Sequence, residues 1–166
     1  IRELTPRQAQ YTQAFFHGGE QAVRLGIEPG DTPVYAESTV RQQFTIPADV
    51  YGATLTFWWW RGTEESPLSG AGVGNDQSNS LSLSTLWSPY DLHEVLLLAS
   101  DHYSVVEILE RTRANDGGWV QRTFDLTPYR GRTLVLYFNA YNNDSVNRTW
   151  MYVDDVELEF CVPVSQ

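Results

Sequence analysis

Lysine is absent. All 11 basic residues of the 166-residue chain are arginine, against 21 Asp and Glu, which leaves a net charge of -10. A surface so acidic repels the phosphate backbone and anionic lipid headgroups, so nucleic-acid binding and electrostatic membrane docking are disfavoured. Neutral glycans, neighbouring proteins or divalent cations suit it better. Cysteine is reduced to Cys161, which excludes an internal disulfide framework and a multi-Cys zinc site. It reads as a small buried thiol closing the last strand, with an intermolecular partner as the alternative. No run of about 18 apolar residues occurs, so no helix is expected to insert into a membrane.

Several catalytic signatures are missing as well. His17, His93 and His102 are scattered without helical spacing, and no His-Glu-x-x-His string occurs, so zinc hydrolysis has no support. No Gly-x-Ser-x-Gly elbow is present for a serine nucleophile. The glycines of "GAGVG" precede no helical pattern and are not a phosphate cradle. Blocks of Ala, Glu and Leu that would favour helix are lacking too.

What the chain does have is aromatic residues, 13% of the total, and short alternating segments. "STVRQQFTI" alternates Val40, Phe44 and Ile46 against Thr39, Arg41 and Thr45. Further strands are expected in "EQAVRLG", "ATLTFWWWR", "LSLSTLW", "HEVLLLAS", "YSVVEILER", "WVQRTFDL", "RTLVLYFNAYN" and "TWMYVDDVELEF", with turn chemistry such as "NDGG" and "TPYRG" between them. The pattern predicts an all-β protein, an antiparallel two-sheet β-sandwich of 8–10 strands. Residues 1–17 read as an N-terminal arm or first strand and 18–166 as a single jelly-roll domain. The loop "GTEESPLSGAGVGNDQSNS" is the longest and reads as solvated, with Glu64, Glu65, Asn75, Asp76 and Asn79 as weak candidates for a cation or sugar.

In "TLTFWWWRG" strand alternation sends Phe57 and Trp59 one way and Trp58 and Trp60 the other. Ala53 and Leu55 share the phase of the first pair, and Thr54 and Thr56 that of the second. Phe57 and Trp59 are therefore expected inside, with Trp58 and Trp60 on an outer face where a ligand stacks. Tryptophan and tyrosine faces pack against sugar rings while nearby polar groups fix the hydroxyls. Trp87, Tyr90, Tyr137, Tyr141 and Trp150 are further candidates for such a platform, and Trp119 is expected in the core.

The ordered segments "HGGEQAVRLG", "VRQQFTIPADVYGATLTFWW", "YDLHEVLLLASD", "GGWVQRTFDLTPYRGRTLVLYFNAYNND" and "WMYVDDVEL" together resemble the jelly-roll modules of bacterial secreted proteins related to MAM domains and carbohydrate-binding modules. Such modules are attached to immune-inhibitor-A-type peptidases and surface anchors. The resemblance covers roughly residues 17 to 160. It implies a secreted or cell-surface location, a non-catalytic role in adhesion or glycan binding, and a structural calcium joining the first strand to the last.

The residues offer a place for that ion. By parity Asp154 shares an inward face with Val156 and Leu158, costly for an unpaired carboxylate. Calcium, which gathers six to eight oxygens, would relieve the cost, with Asp154, Asp155 and Glu20 as ligands. The alternative is that Asp154 accepts backbone or arginine hydrogen bonds. "NDS" at Asn143 and "NRT" at Asn147 are glycosylation acceptors only in a host that uses them. Two other functions stay open: a structural or assembly subunit of a surface layer, filament or larger complex, and a glycan hydrolase drawing on Asp91, Glu94, Asp101 or Glu107.

Overall fold

The computed structural model describes residues 8–66, 90–143 and 146–162. Nine strands are placed there: β1 (Gln10–Thr12), β2 (Ala22–Gly26), β3 (Ala36–Thr45), β4 (Gly52–Thr63), β5 (Leu92–Ala99), β6 (Val105–Thr112), β7 (Val120–Asp125), β8 (Thr133–Asn142) and β9 (Thr149–Cys161). They form two antiparallel sheets, a five-stranded one in the order β1-β2-β9-β4-β7 and a four-stranded one in the order β3-β8-β5-β6. The chain crosses repeatedly from one sheet to the other, so each sheet contributes one face to a shared core. The only helical element among the described residues is a 3-10 turn, Thr127–Tyr129, so none of their helices is long and apolar enough to cross a membrane. The expected strand "LSLSTLW" lies outside the described residues.

The core follows from alternation. On β4, Ala53, Leu55, Phe57 and Trp59 are all essentially inaccessible. Phe57 packs edge-on against Trp59 at 5.6 Å and against Phe138 of the opposite sheet at 5.0 Å, a favoured aromatic arrangement. On β8, Leu134, Leu136, Phe138 and Ala140 face the same core. The placement of Phe57 and Trp59 inside is what the parity of their neighbours predicts.

β9 departs from simple alternation. Thr56 pairs with Glu157, but Trp58 pairs with Asp154, so Asp155 and Val156 together oppose Phe57. This is a β-bulge, and Asp155 adopts the left-handed φ of 46° that such an extra residue often needs. The bulge reverses the phase. Met151 and Val153 face inward before it, Leu158 packs against the core after it, and Val156 is 49% exposed. Asp154 therefore lies opposite Trp58 on the outer face, contrary to its expected inward position. Cys161 is also placed otherwise than expected: it is exposed at the end of β9, beyond the reach of the core.

His93 pins the two sheets together. It belongs to β5, is fully buried, and its Nε2 donates to the Trp150 carbonyl at 2.9 Å, with the Gly62 carbonyl at 3.2 Å. Burial lowers its pKa from 6.5 to about 4, with Arg61 acting in the same direction and the two carbonyls opposing. Below pH 6.5 the unfolded chain takes up this proton while the folded chain stays neutral, so stability falls as pH drops from about 6.5 to about 4 and is unaffected by His93 above that window. The loss expected by pH 4.5 is on the order of 2–3 kcal/mol. Urea unfolding at pH 7 and pH 4.5 should show this loss in the native chain and a smaller one in His93→Gln; matching losses would contradict it.

Candidate functional site

The outer face of the four-stranded sheet carries a groove of about 330 Å³. Its floor is written in the phase of β8 opposite to the core residues. Tyr137, Asn139 and Tyr141 alternate with Leu136, Phe138 and Ala140 and so point out of the sandwich. Register supplies their neighbours. Tyr137 lies between Arg41 of β3 and Leu96 of β5, Asn139 beside Glu94, and Tyr141 between Glu37 and Leu92. Arg111 of β6 pairs with Glu94 on the far side. The result is a strip of two tyrosines and leucines with charged and amide groups around it, the composition of a site that stacks a ring and hydrogen-bonds its substituents.

The polar groups are held firmly. Glu94, 9% exposed, accepts hydrogen bonds from Arg111 Nε at 2.7 Å and Asn139 Nδ2 at 2.9 Å. Because a carboxylate only accepts, the Asn139 amide must turn its nitrogen to Glu94. Burial raises the Tyr137 hydroxyl to about 12, reinforced by the carboxylates of Glu37 and Glu94. Burial also raises that of Tyr141, with its neighbour Tyr35 adding to the effect. Both phenols therefore keep their protons and can donate. Tyr35 meets Tyr141 edge-on at 5.9 Å at one end of the groove, and Tyr103, from the β5–β6 turn, closes the other beneath the Arg41 guanidinium at 4.7 Å.

The expected tryptophan platform lies on the opposite sheet. Trp58 and Trp60 do sit on its outer face, half-buried, but the N-terminal arm covers them. His17 stacks on Trp58 at 3.9 Å with planes 15° apart, and Phe15 packs edge-on against Trp60 at 4.8 Å. Phe15 also stacks on Trp119 at 5.3 Å, which places Trp119 in this outer cluster instead of the core. The expectation failed there because the arm supplies a second apolar layer on the outer face. Trp150 is half-buried on β9, and its ring lies over Gly62, where an added Cβ would come within 2.2 Å of it. The aromatic surface is real, but the arm already occupies much of it.

The remaining expected site residues are dispersed. Trp87, Asn75, Asp76 and Asn79 lie outside the described residues. Tyr90 is 49% exposed, with the Arg113 guanidinium 4.5 Å from its ring, and Glu65 is tied to Arg113 and Glu64 to Arg148. Asn143 and Asn147 are half-buried, the backbone N–H of Asn143 donating to fully buried Asp91 at 2.7 Å. Asp101 is exposed beside His102, and Glu107 accepts from the Tyr129 hydroxyl.

Asp154 and Asp155 do meet the Gly18 turn, as the calcium reading required, but through N–H groups. Asp154 Oδ2 accepts from the backbone N–H of His17 at 2.8 Å and Gly18 at 3.1 Å, and Oδ1 from Asp155 N–H at 2.8 Å. Asp155 Oδ2 accepts from His17 Nδ1 at 2.7 Å. Donor hydrogens aimed at a carboxylate occupy the side from which a cation would approach. Glu20 is exposed, and among the described residues no three His, Cys, Asp or Glu side chains gather as metal ligands. The residues so arranged do not fit a calcium cage; they clamp the arm to the β9 bulge. EDTA is accordingly expected to leave the melting temperature within about 1 °C of its value in added calcium, since only a ligand of the native state raises it. A fall of several degrees would contradict the clamp.

Sequence reasoning found Tyr137 and Tyr141 but missed Arg41, Tyr103, Asn139 and Arg111 as their companions. Alternation marks Arg41 as outward, but which strand lies beside β3 is not readable from alternation.

Comparisons with known proteins agree with the sandwich. No family model matches the chain, and no curated protein matches it. Among solved structures it is similar to TmCBM61, determined in complex with beta-1,4-galactotriose, over 92% of this chain and 81% of that one, with a TM-score of 0.52 and 12% identity. It is similar to the K3 cleaved adhesin domain of Lys-gingipain from Porphyromonas gingivalis w83 over 86% and 75%, with a TM-score of 0.50 and 17% identity. A family 16 carbohydrate-binding module is matched over 91% and 84% at a TM-score of 0.45 and 13% identity. At these identities the first two likenesses show the fold alone.

Proposed function

We propose that the chain is a non-catalytic carbohydrate-binding module whose ligand lies in the groove of the four-stranded sheet. The observation that carries this is the outward row Tyr137–Asn139–Tyr141, two rings two strand positions either side of an amide, flanked in register by Arg41, Glu37 and Glu94. Tyr137 is half-buried and open to a sugar ring, while Tyr141, about 13 Å further along the strand and 5% exposed, is buried against Tyr35 at the end of the groove. The fold likeness to a module crystallised with galactotriose supports the same reading. A secreted or cell-surface location belongs to the proposal, since polymeric glycans are met there.

A hydrolase is disfavoured by the carboxylates themselves. Glu94, Asp101 and Glu107 are each tied to a partner of their own, and no two of them are presented together as an acid and a nucleophile. The assembly-subunit alternative rests on an exposed aromatic stripe and the lone Cys161; the arm covers much of the stripe, while Cys161 is exposed at the end of β9. Titration of the full chain with β-1,4-linked galacto-, gluco- and manno-trisaccharides, followed by calorimetry, should show saturable binding of at least one. Absence of binding across the series would overturn the proposal.

A further inference from the structure

The charges of the groove are unevenly satisfied, and the imbalance bears on the class of sugar. Six arginines of the described chain, Arg24, Arg61, Arg111, Arg113, Arg122 and Arg148, each contact a carboxylate. Arg41, like Arg130 and Arg132, is not among them, although the chain carries nearly twice as many acids as bases. It is exposed at the groove, in register opposite Tyr137, and its guanidinium rests on the Tyr103 ring. Tyr103 is one of two described non-glycine residues with positive φ, at 56°. So large a side chain in that region is uncommon and is retained where its surroundings demand it, often at ligand clamps. Here the conformation sets the ring beneath Arg41 and limits where the guanidinium can point.

We infer that the groove selects glycans bearing a carboxylate, with the acid group of a uronic sugar held by Arg41 while its ring stacks on Tyr137. The inference rests on the groove being the glycan site. A planar guanidinium offers paired donors that match a carboxylate, and each such charge-assisted bond is about twice as strong as a neutral one. Among the described residues no carboxylate is paired with Arg41: Glu94 is taken up by Arg111 and Asn139, Asp101 by His102, and Glu37 lies four strand positions away along β3, its charge still reaching the Tyr137 hydroxyl. The Glu37 end, with Tyr141 and Tyr35, is left for hydroxyl groups. The sugar therefore has a direction in the groove, acid toward Tyr103 and neutral rings toward Tyr35.

Calorimetry with two probes tests this: β-1,4-galactotriose, and the same trisaccharide oxidised to a carboxylate at C6 of one terminal ring. The full chain should bind the acid form at least tenfold more tightly. Arg41→Gln should lose far more affinity for the acid form than for the neutral form and so lose the preference, and Arg41→Lys should keep part of it. Equal affinities in the native chain, or equal loss of both probes in Arg41→Gln, would overturn the inference while leaving the glycan groove intact. Failure of the native chain to bind the acid probe or any neutral trisaccharide of the series would remove the proposed function and the inference with it.

Discussion

Tyr137→Ala is expected to weaken glycan binding by thirtyfold or more while the protein stays folded. The ring lies on the groove floor between Arg41 and Leu96, half-buried, where a sugar ring can stack on it. Truncating a central, partly desolvated aromatic anchor typically costs about 2 kcal/mol or more, which is roughly a thirtyfold loss in affinity. Its side chain points away from the inter-sheet core, so its removal opens no cavity between the sheets. Trp58→Ala supplies the contrast. Its ring is already stacked under His17, so binding should stay within about threefold of the native value even if the arm loosens. Calorimetry on both variants, with circular dichroism to establish folding, separates the two faces; loss of binding in Trp58→Ala with Tyr137→Ala unaffected would reverse the assignment.

The second large effect concerns stability. Asp116→Ala should cost 3–5 kcal/mol, a large share of the 5–15 kcal/mol that holds an ordinary domain together. Arg61 of β4 points into the end of the sandwich, its guanidinium 4.2 Å from the centre of the Trp59 ring. Asp116 meets it with both oxygens, at 2.8 Å to Nε and 2.9 Å to a terminal nitrogen, and also accepts from the Arg61 backbone N–H at 2.9 Å. Both side chains are more than nine-tenths buried. Removing the acid alone leaves a buried cation without a counter-charge, whereas Arg61→Met with Asp116→Leu replaces both charges by apolar volume and should recover most of the loss. Urea denaturation reads both; a cost below about 1 kcal/mol for Asp116→Ala would show the pair to be solvated.

The history of individual residues shows what sequence could and could not reveal. Strand periodicity was enough to place Phe57 and Trp59 inside and Trp58 and Trp60 outside, because β4 is regular over that stretch and its small neighbours mark the phase. The same logic misplaced Asp154, since one extra residue on β9 inverts every side chain beyond it, and a left-handed Asp155 leaves no mark in composition. Trp119 was misread for a different reason. Its outer face is apolar because Phe15, more than a hundred positions earlier, lies on it, and such long-range layering is set by tertiary packing. Tyr137 and Tyr141 were legible from the alternation of β8. Arg41 acquires meaning only when β3 is known to pair with β8, a fact about sheet order that no local pattern encodes.

The two faces of the molecule thus differ in what they leave open. The tryptophan face is large and aromatic, yet its own arm stacks upon it and is clamped by Asp154 and Asp155. The tyrosine groove lies on the other sheet, open at Arg41 and partly at Tyr137, with Asn139 and Tyr141 buried along its floor. The most direct measurement is a residue-by-residue NMR titration of the full chain with the trisaccharide that binds best. Chemical-shift changes centred on Tyr137, Asn139, Arg41 and Arg111 are the result predicted; changes confined to Trp58, Trp60 and the arm at Phe15 and His17 would contradict the account.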